Sequence, residues 1–256
     1  MATEVRDLAR TQDARLAALR RVAIVPAYNE EGAIVGVLEN LRAFDPGMEV
    51  VVVSDGSTDR TPQLAARHGA HVLRLPFNLG IGGAVQTGFR FAFENGFQVA
   101  VRVDGDGQHD PSQLAAVLEP VLAGEADIAV GSRFAGAEGY RSSRSRRAGI
   151  RILAWVVSRL IGQRVTDTTS GFQALNRKAI ALFAADYPHD YPEVEATVMV
   201  ARHRLRLVEV PVSMREREHG RSSITALRSV YYMVKVLLAL FIGLFRRNVT
   251  PLEDVE

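Results

Sequence analysis

Short runs of valine and isoleucine alternate with helical patterns from residue 22 to residue 133, and this alternation restricts the fold more than any other feature of the chain. The apolar runs Val22–Pro26, Glu49–Ser54, His71–Leu75, Gln98–Asp104 and Asp127–Arg133 are separated by segments with helical spacing, Gly32–Phe44, Thr61–His68, Gly80–Asn95 and Pro111–Ala123. Runs that are apolar at nearly every position read as strands covered on both faces, and intervening helices imply βαβ crossovers. The expected fold is therefore α/β: a mixed, mostly parallel, Rossmann-like sheet with helices on both faces. Ligands of such sheets bind beyond the carboxyl ends of the strands. Polar groups follow the apolar runs at those places: Ala27-Tyr28-Asn29-Glu30, Ser54 to Asp59, and Asp104 to Pro111.

Composition narrows the chemistry. The 256 residues are 47% hydrophobic and 23% charged, with no cysteine. A chain of this length buries roughly 70–75% of its unfolded surface, so it needs no disulfide or metal to hold a core. Thiolate nucleophiles and cysteine-ligated zinc or iron–sulfur centres are excluded. The formal net charge of +2 hides an asymmetry: eight arginines stand between Arg133 and Arg164 against a single acid, Glu138. Such a stretch suits an anionic partner, whether phosphate, nucleic acid or a membrane surface. Nucleic acid is disfavoured, because the aromatics that interleave a single-strand groove are reduced here to Phe134, Tyr140 and Trp155.

Beyond residue 133 the pattern changes to a basic loop (Ala135–Ala148), a helix (Gly149–Ile161), the irregular tract Thr166–Phe172, helices at Arg177–Ala184 and Pro192–His203, a strand at Leu205–Val212 and a polar loop at Ser213–Ser223. We divide the chain into a polar N-terminal helix (1–20), one domain (21–225), and a C-terminal apolar helix with its tail (226–256). The N-terminus lacks the apolar core of a signal peptide, so the protein is expected in the cytoplasm. Val230–Phe245 spans 16 residues and is interrupted by Lys235, short of the roughly 20 that cross a bilayer. It suits a helix lying at the cytoplasmic membrane face or packing on a small membrane protein, with a buried core helix as the alternative.

The pivotal constellation is Asp104-Gly105-Asp106 at a strand end. Two carboxylates one residue apart suit Mg²⁺ or Mn²⁺ held jointly with phosphate oxygens, and Gln108 and His109 are placed to extend the shell. Turn chemistry alone also produces such a triplet. The glycine-rich segment Asn78 to Gly88 does not fit a dinucleotide fingerprint, since Val85 stands where the third glycine belongs. Nor is it a Walker loop, since Phe89-Arg90 follows Gly88. No Gly-x-Ser-x-Gly elbow occurs.

Taken in order, PAYNE at 26–30, VSDGSTD at 53–59, DGDGQHDP at 104–111, GSRF at 131–134 and DTTSGF at 167–172 resemble the family 2 nucleotide-sugar glycosyltransferases of GT-A fold, within them the polyprenyl-phosphate sugar transferases. The resemblance runs from about residue 21 to 225. It implies that Pro26, Ala27, Tyr28, Glu30 and Asp55 hold the donor nucleotide, joined by Asp104 and Gly105. It implies that Asp104, Asp106 and Gln108 hold a divalent metal, that Arg133, Arg146 and Arg217 bind phosphates of acceptor and donor, and that Asp167 is needed for activity. The chain departs from the pattern at Ile150, where a serine is expected, and at Ser223, where a lysine is expected.

The implied reaction is inverting, metal-dependent transfer of a sugar from a nucleotide-sugar donor to a lipid-phosphate acceptor. An acceptor phosphate is already anionic and needs orientation rather than a base. A hydroxyl acceptor would need one, with Asp167, Glu193 and Glu195 as candidates. A nucleotidyltransferase shares the sheet-and-carboxylate logic but would carry a glycine-rich, basic loop where PAYNEEGA stands. A non-enzymatic anion-binding scaffold is the remaining alternative.

Overall fold

The computed structural model describes residues 19–136, 144–213, 235–242, 250, 251 and 253, with side chains of the central segment from residue 149. Seven strands form one sheet in the order β3-β2-β1-β4-β6-β5-β7. They are β1 (Arg21–Ala27), β2 (Glu49–Asp55), β3 (His71–Leu75), β4 (Val99–Arg102), β5 (Ile128–Ser132), β6 (Gln173–Asn176) and β7 (Leu207–Pro211). β6 runs antiparallel to both β4 and β5, and the other pairings are parallel. Helices α1 (Ile34–Phe44), α2 (Thr61–Arg67), α3 (Gly80–Glu94) and α4 (Leu114–Leu122) connect the first five strands. α5 (Arg144–Ile161), α6 (Arg177–Ala185) and α7 (Pro192–Arg202) follow.

β1 shows why the chain folds this way. Val22, Ala23, Ile24 and Val25 are all fully buried, and their alternation sends them to opposite faces. Val22 and Ile24 join a cluster with α3, α5, α6 and α7, including Phe89, Phe183 and Leu153. Ala23 and Val25 join Ile34, Leu38, Leu114 and Leu118 of α1 and α4. On α3, a Cβ at Gly88 would run into Ile24 Cγ2, and one at Gly82 into the carbonyl of Pro188. The helix is thus seated between β1 and the loop before α7.

β6 was not expected. Its four residues lack a β-branched side chain, and it becomes a strand because β4 and β5 both pair with it. Being antiparallel, it brings its amino end to the carboxyl ends of its neighbours, with Gln173 opposite both Arg102 and Val130. That reversal delivers the tract 166–172 to the functional edge. α5 begins at Arg144 rather than Gly149, since arginine propagates a helix well. Ile150 is buried in this helix, which accounts for an apolar residue there.

Residues 235–242 are helical. Val236 and Leu240 are buried in the core while Leu238, Phe241 and Ile242 are exposed, so this segment carries both an inward and an outward apolar face. Among the described residues no helix is long and apolar enough to cross a membrane. The expected N-terminal helix, apart from residues 19 and 20, lies outside the described residues, as do Arg217, Ser223 and the loop around them.

Candidate active site

Two loops form the first wall. The left-handed backbone of Asn29 (φ 55°) aims its side chain at the next loop, where Oδ1 accepts the Thr58 N–H at 2.8 Å. The Asn29 N–H donates to Ser57 Oγ at 3.2 Å and the Glu30 N–H to Thr61 Oγ1 at 2.8 Å. Asp59 receives the N–H groups of Glu31 and Thr61. Burial works to raise its pKa, and these hydrogen bonds more than offset that, leaving it below the usual aspartate value. The polar residues of PAYNE and SDGSTD therefore satisfy each other's backbone, which converts two loops into one rigid rim.

The second wall comes from α3. Asp55 Oδ1 accepts the Leu79 N–H at 2.7 Å, tying the end of β2 to the start of the helix. Gly56 has φ +68°, and a Cβ there would lie 2.6 Å from the Asn78 nitrogen, so only glycine permits this approach. Between the walls and the end of β4 lies a cavity of about 380 Å³. It is lined by Pro26, Ala27, Tyr28, Glu30 and Asp55, by Asn78, Gly80, Ile81 and Ala84, and by Asp104, Gly105 and Asp106. This brings together every donor-binding residue expected from the sequence, in a volume within the usual range for ligand sites.

The carboxylate turn is the cavity's floor. The Gly105 N–H donates to the Pro26 carbonyl at 3.2 Å, and Asp106 Oδ1 accepts the Gln108 N–H at 3.1 Å. Gln108 does not line the cavity. The Asp104 N–H donates to His109 Nδ1 at 3.1 Å, and the imidazole stacks on Phe172 with ring centroids 4.7 Å apart. Burial pushes the His109 pKa down, and through Nδ1 the ring fastens the turn from beneath.

Arg102, the last residue of β4, is 1% exposed. Its Nε and Nη2 donate to Asp104 Oδ1 at 3.3 and 3.2 Å, Nη2 also to Glu193 Oε1 at 2.8 Å, and Nη1 to the Tyr187 hydroxyl at 3.2 Å. Burial disfavours the guanidinium charge, but the carboxylates of Asp104 and Glu193 outweigh it and hold the pKa above its ordinary value. Sequence reasoning passed over Arg102. The signal was a charged residue inside the otherwise apolar run VAVRV, a position that is buried only when paired.

A second cluster sits at the end of β5. Arg133 and Asp167 are both buried and meet in a two-pronged ion pair, Nε to Oδ2 at 2.6 Å and Nη2 to Oδ1 at 2.8 Å. The Arg133 N–H also donates to Oδ2, and Nη2 to Thr169 Oγ1. Glu209 of β7 secures the tract by accepting the N–H groups of Thr166 and Asp167, each at 2.8 Å. Of the other two candidate bases, Glu193 pairs with Arg102 and Glu195 Oε1 accepts the Tyr191 N–H at 3.3 Å. Arg146 lies in the first half of α5, its side chain outside the described residues.

Hard oxygen donors suit magnesium or manganese. Among the described residues no group of three or more His, Asp or Glu forms a complete metal cage. Asp104 and Asp106 lining a cavity instead fit a cation that takes its remaining ligands from substrate phosphates and water.

Residues 22–183 match the model of glycosyl transferase family 2. The chain is 35% identical over 220 residues to the undecaprenyl-phosphate mannosyltransferase of Micrococcus luteus, covering 81% of this chain and 88% of that protein. It is 32% identical over 227 residues to the polyprenol monophosphomannose synthase of Mycolicibacterium smegmatis, covering 85% of each. The fold matches glucosyl-3-phosphoglycerate synthase of Mycobacterium tuberculosis, solved with Mn²⁺, UDP and glucosyl-3-phosphoglycerate, with a TM-score of 0.69 at 22% identity over 91% of this chain and 82% of that one. The mixed seven-stranded sheet is that of the GT-A glycosyltransferases, and the chain belongs to glycosyl transferase family 2.

Proposed function

We propose that this glycosyltransferase moves a hexose from a nucleoside-diphosphate sugar to a polyprenyl-phosphate acceptor, with inversion, at the cytoplasmic face of a membrane. The observation that carries the reading is the pair Asp104 and Asp106 at the floor of a cavity whose rim is built from Pro26–Glu30 and Asp55. The names of the mannosyltransferase relatives support a lipid-phosphate acceptor.

Breaking the sugar–phosphate bond leaves a diphosphate with additional negative charge. Asp104 and Asp106 would hold the divalent cation, which supplies Lewis-acid stabilisation of that leaving group when bound. The protein's own share is positioning: the hydrogen-bonded rim fixes the nucleotide, and the Asp55–Leu79 bond fixes the opposite wall. Two of the three candidate bases, Asp167 and Glu193, are committed to arginines. This favours an acceptor phosphate, which enters already ionised and requires orientation by arginine rather than deprotonation. In that role Asp167 holds Arg133 in place, and Arg146 and Arg217 would complete the phosphate contacts. The outward apolar residues Leu238, Phe241 and Ile242, with Ile152, Trp155 and Leu160 of α5, support a membrane surface. The Arg159 guanidinium stacks over Trp155 at 5.6 Å, a pairing suited to the headgroup region.

Calorimetric titration of UDP, GDP and their sugar derivatives, with and without Mn²⁺, tests the donor site. Metal-dependent binding of one nucleotide that disappears in Asp106→Ala is the expected result. Binding indifferent to metal and to that substitution would overturn the proposal. Transfer of labelled sugar to a polyprenyl phosphate, compared with a free polyprenol, then tests the acceptor.

A further inference from the structure

One positive charge at the floor of the site faces two negative ones. Arg102 Nη2 lies 3.2 Å from Asp104 Oδ1 and 2.8 Å from Glu193 Oε1, so a single guanidinium nitrogen is shared by a cavity carboxylate and the first turn of α7. The fork is fixed on every side. β4 pairing with Gln173 sets the Arg102 backbone, and Nη1 is held by Tyr187. Gly171 presses on the ion pair: a Cβ there would fall 2.7 Å from Nη2 and 2.9 Å from Asp104 Oδ2. Among the described residues, Asp106, Arg133 and the buried imidazole of His109 also face the cluster.

We propose that Arg102 is a positioning residue for the metal-binding turn, and that Glu193 sets how strongly the guanidinium competes with the cation for Asp104. The inference rests on the metal-dependent reading above. Two hydrogen bonds to Oδ1 restrain the Asp104 carboxylate against rotation. The guanidinium also places a full positive charge beside a group that must attract another cation, a conflict that Glu193 relieves by drawing that charge toward α7. The arrangement couples α7 to the carboxylate turn through one side chain.

The two effects separate in a pair of variants. Glu193→Gln keeps the shape and a hydrogen-bond acceptor but removes the relieving charge. Its half-saturating Mn²⁺, titrated into protein holding UDP or GDP, should rise about fivefold. Arg102→Met/Glu193→Gln removes one charge of each sign, so the local balance returns to that of the wild type, and a buried pair replaced together is tolerated far better than one partner removed. Here Mn²⁺ affinity should recover to within about twofold of wild type. Release of UDP or GDP from the sugar nucleotide at saturating Mn²⁺ should nonetheless remain reduced about tenfold. A merely structural role for Arg102 would weaken metal binding and turnover together.

Glu193→Gln without effect on Mn²⁺ affinity, or a double variant weaker than Glu193→Gln, would overturn the inference while leaving metal dependence intact, provided Asp106→Ala abolishes the binding. No Mn²⁺ binding by the wild-type protein would overturn the metal-dependent reading and this inference with it.

Discussion

Two acidic regions stand at the same edge of the sheet, one beyond the end of β4 and one beside the end of β5, and are built in opposite ways. Asp104 and Asp106 are half-buried and line a cavity, whereas Asp167 is 2% exposed and accepts from the Arg133 N–H, the Arg133 guanidinium and the Thr169 N–H and hydroxyl. On the proposed reading the first pair would be completed by a cation bound with the substrate. The second is already complete. On the proposed reading Asp167 would matter without touching substrate, by holding an arginine that would otherwise be a buried charge without this partner.

This contrast predicts a crossing of effects. Asp106→Ala should lower turnover by about 10³-fold while leaving stability within about 0.5 kcal/mol of wild type, as expected for a half-exposed group whose work is electrostatic. Asp167→Ala should do the reverse in stability, costing about 3–5 kcal/mol in urea unfolding because Arg133 loses its buried partner. Equal stability losses in the two variants would erase the distinction. Gly56→Ala should cost about 1–3 kcal/mol through its positive φ and the clash with Asn78, and should weaken nucleotide binding by displacing the α3 wall.

The smallest effect lies at the far edge of the sheet. Asp127 accepts from Asn176 at 2.8 Å and from the Arg206 N–H at 2.7 Å. Burial raises its pKa, but these bonds and the Arg206 charge bring it below the ordinary 3.8. A lowered folded-state pKa gives stability that is present above 3.8 and lost as pH falls through the lower folded value. Asp127→Asn should therefore be less stable by about 1 kcal/mol at pH 7, with nucleotide binding unchanged and the gap closing below pH 4.

The half around the cavity was legible in the sequence because strand ends and the polar residues that follow them carry local signals. A valine-rich run followed by polar residues marks a parallel strand end, and ligands gather there. PAYNE, SDGSTD and DGD each follow such a run, and the structure sets them around one cavity. The far half was less legible, since β6 has no strand composition of its own and owes its state to two neighbours met through long-range pairing. Its reversal, not any motif, brings Gly171 and Phe172 against Asp104 and His109. Arg102 was hidden for a related reason: its partners Glu193 and Tyr187 are about ninety residues away, a distance that spacing rules do not see.

The seating of α3 has a consequence for how the cavity can change. With Gly88 flush against Ile24 and Gly82 against Pro188, the helix has main chain or core at its back along much of its length. Neither a longer side chain nor a shorter one elsewhere would let it recede. The width of the cavity is then a property of the scaffold's architecture, and on the proposed reading selection among nucleotides would fall to the rim. On that reading, swapping a rim residue such as Tyr28 would retune which base is admitted, while the gap between floor and helix stays as the sheet has set it.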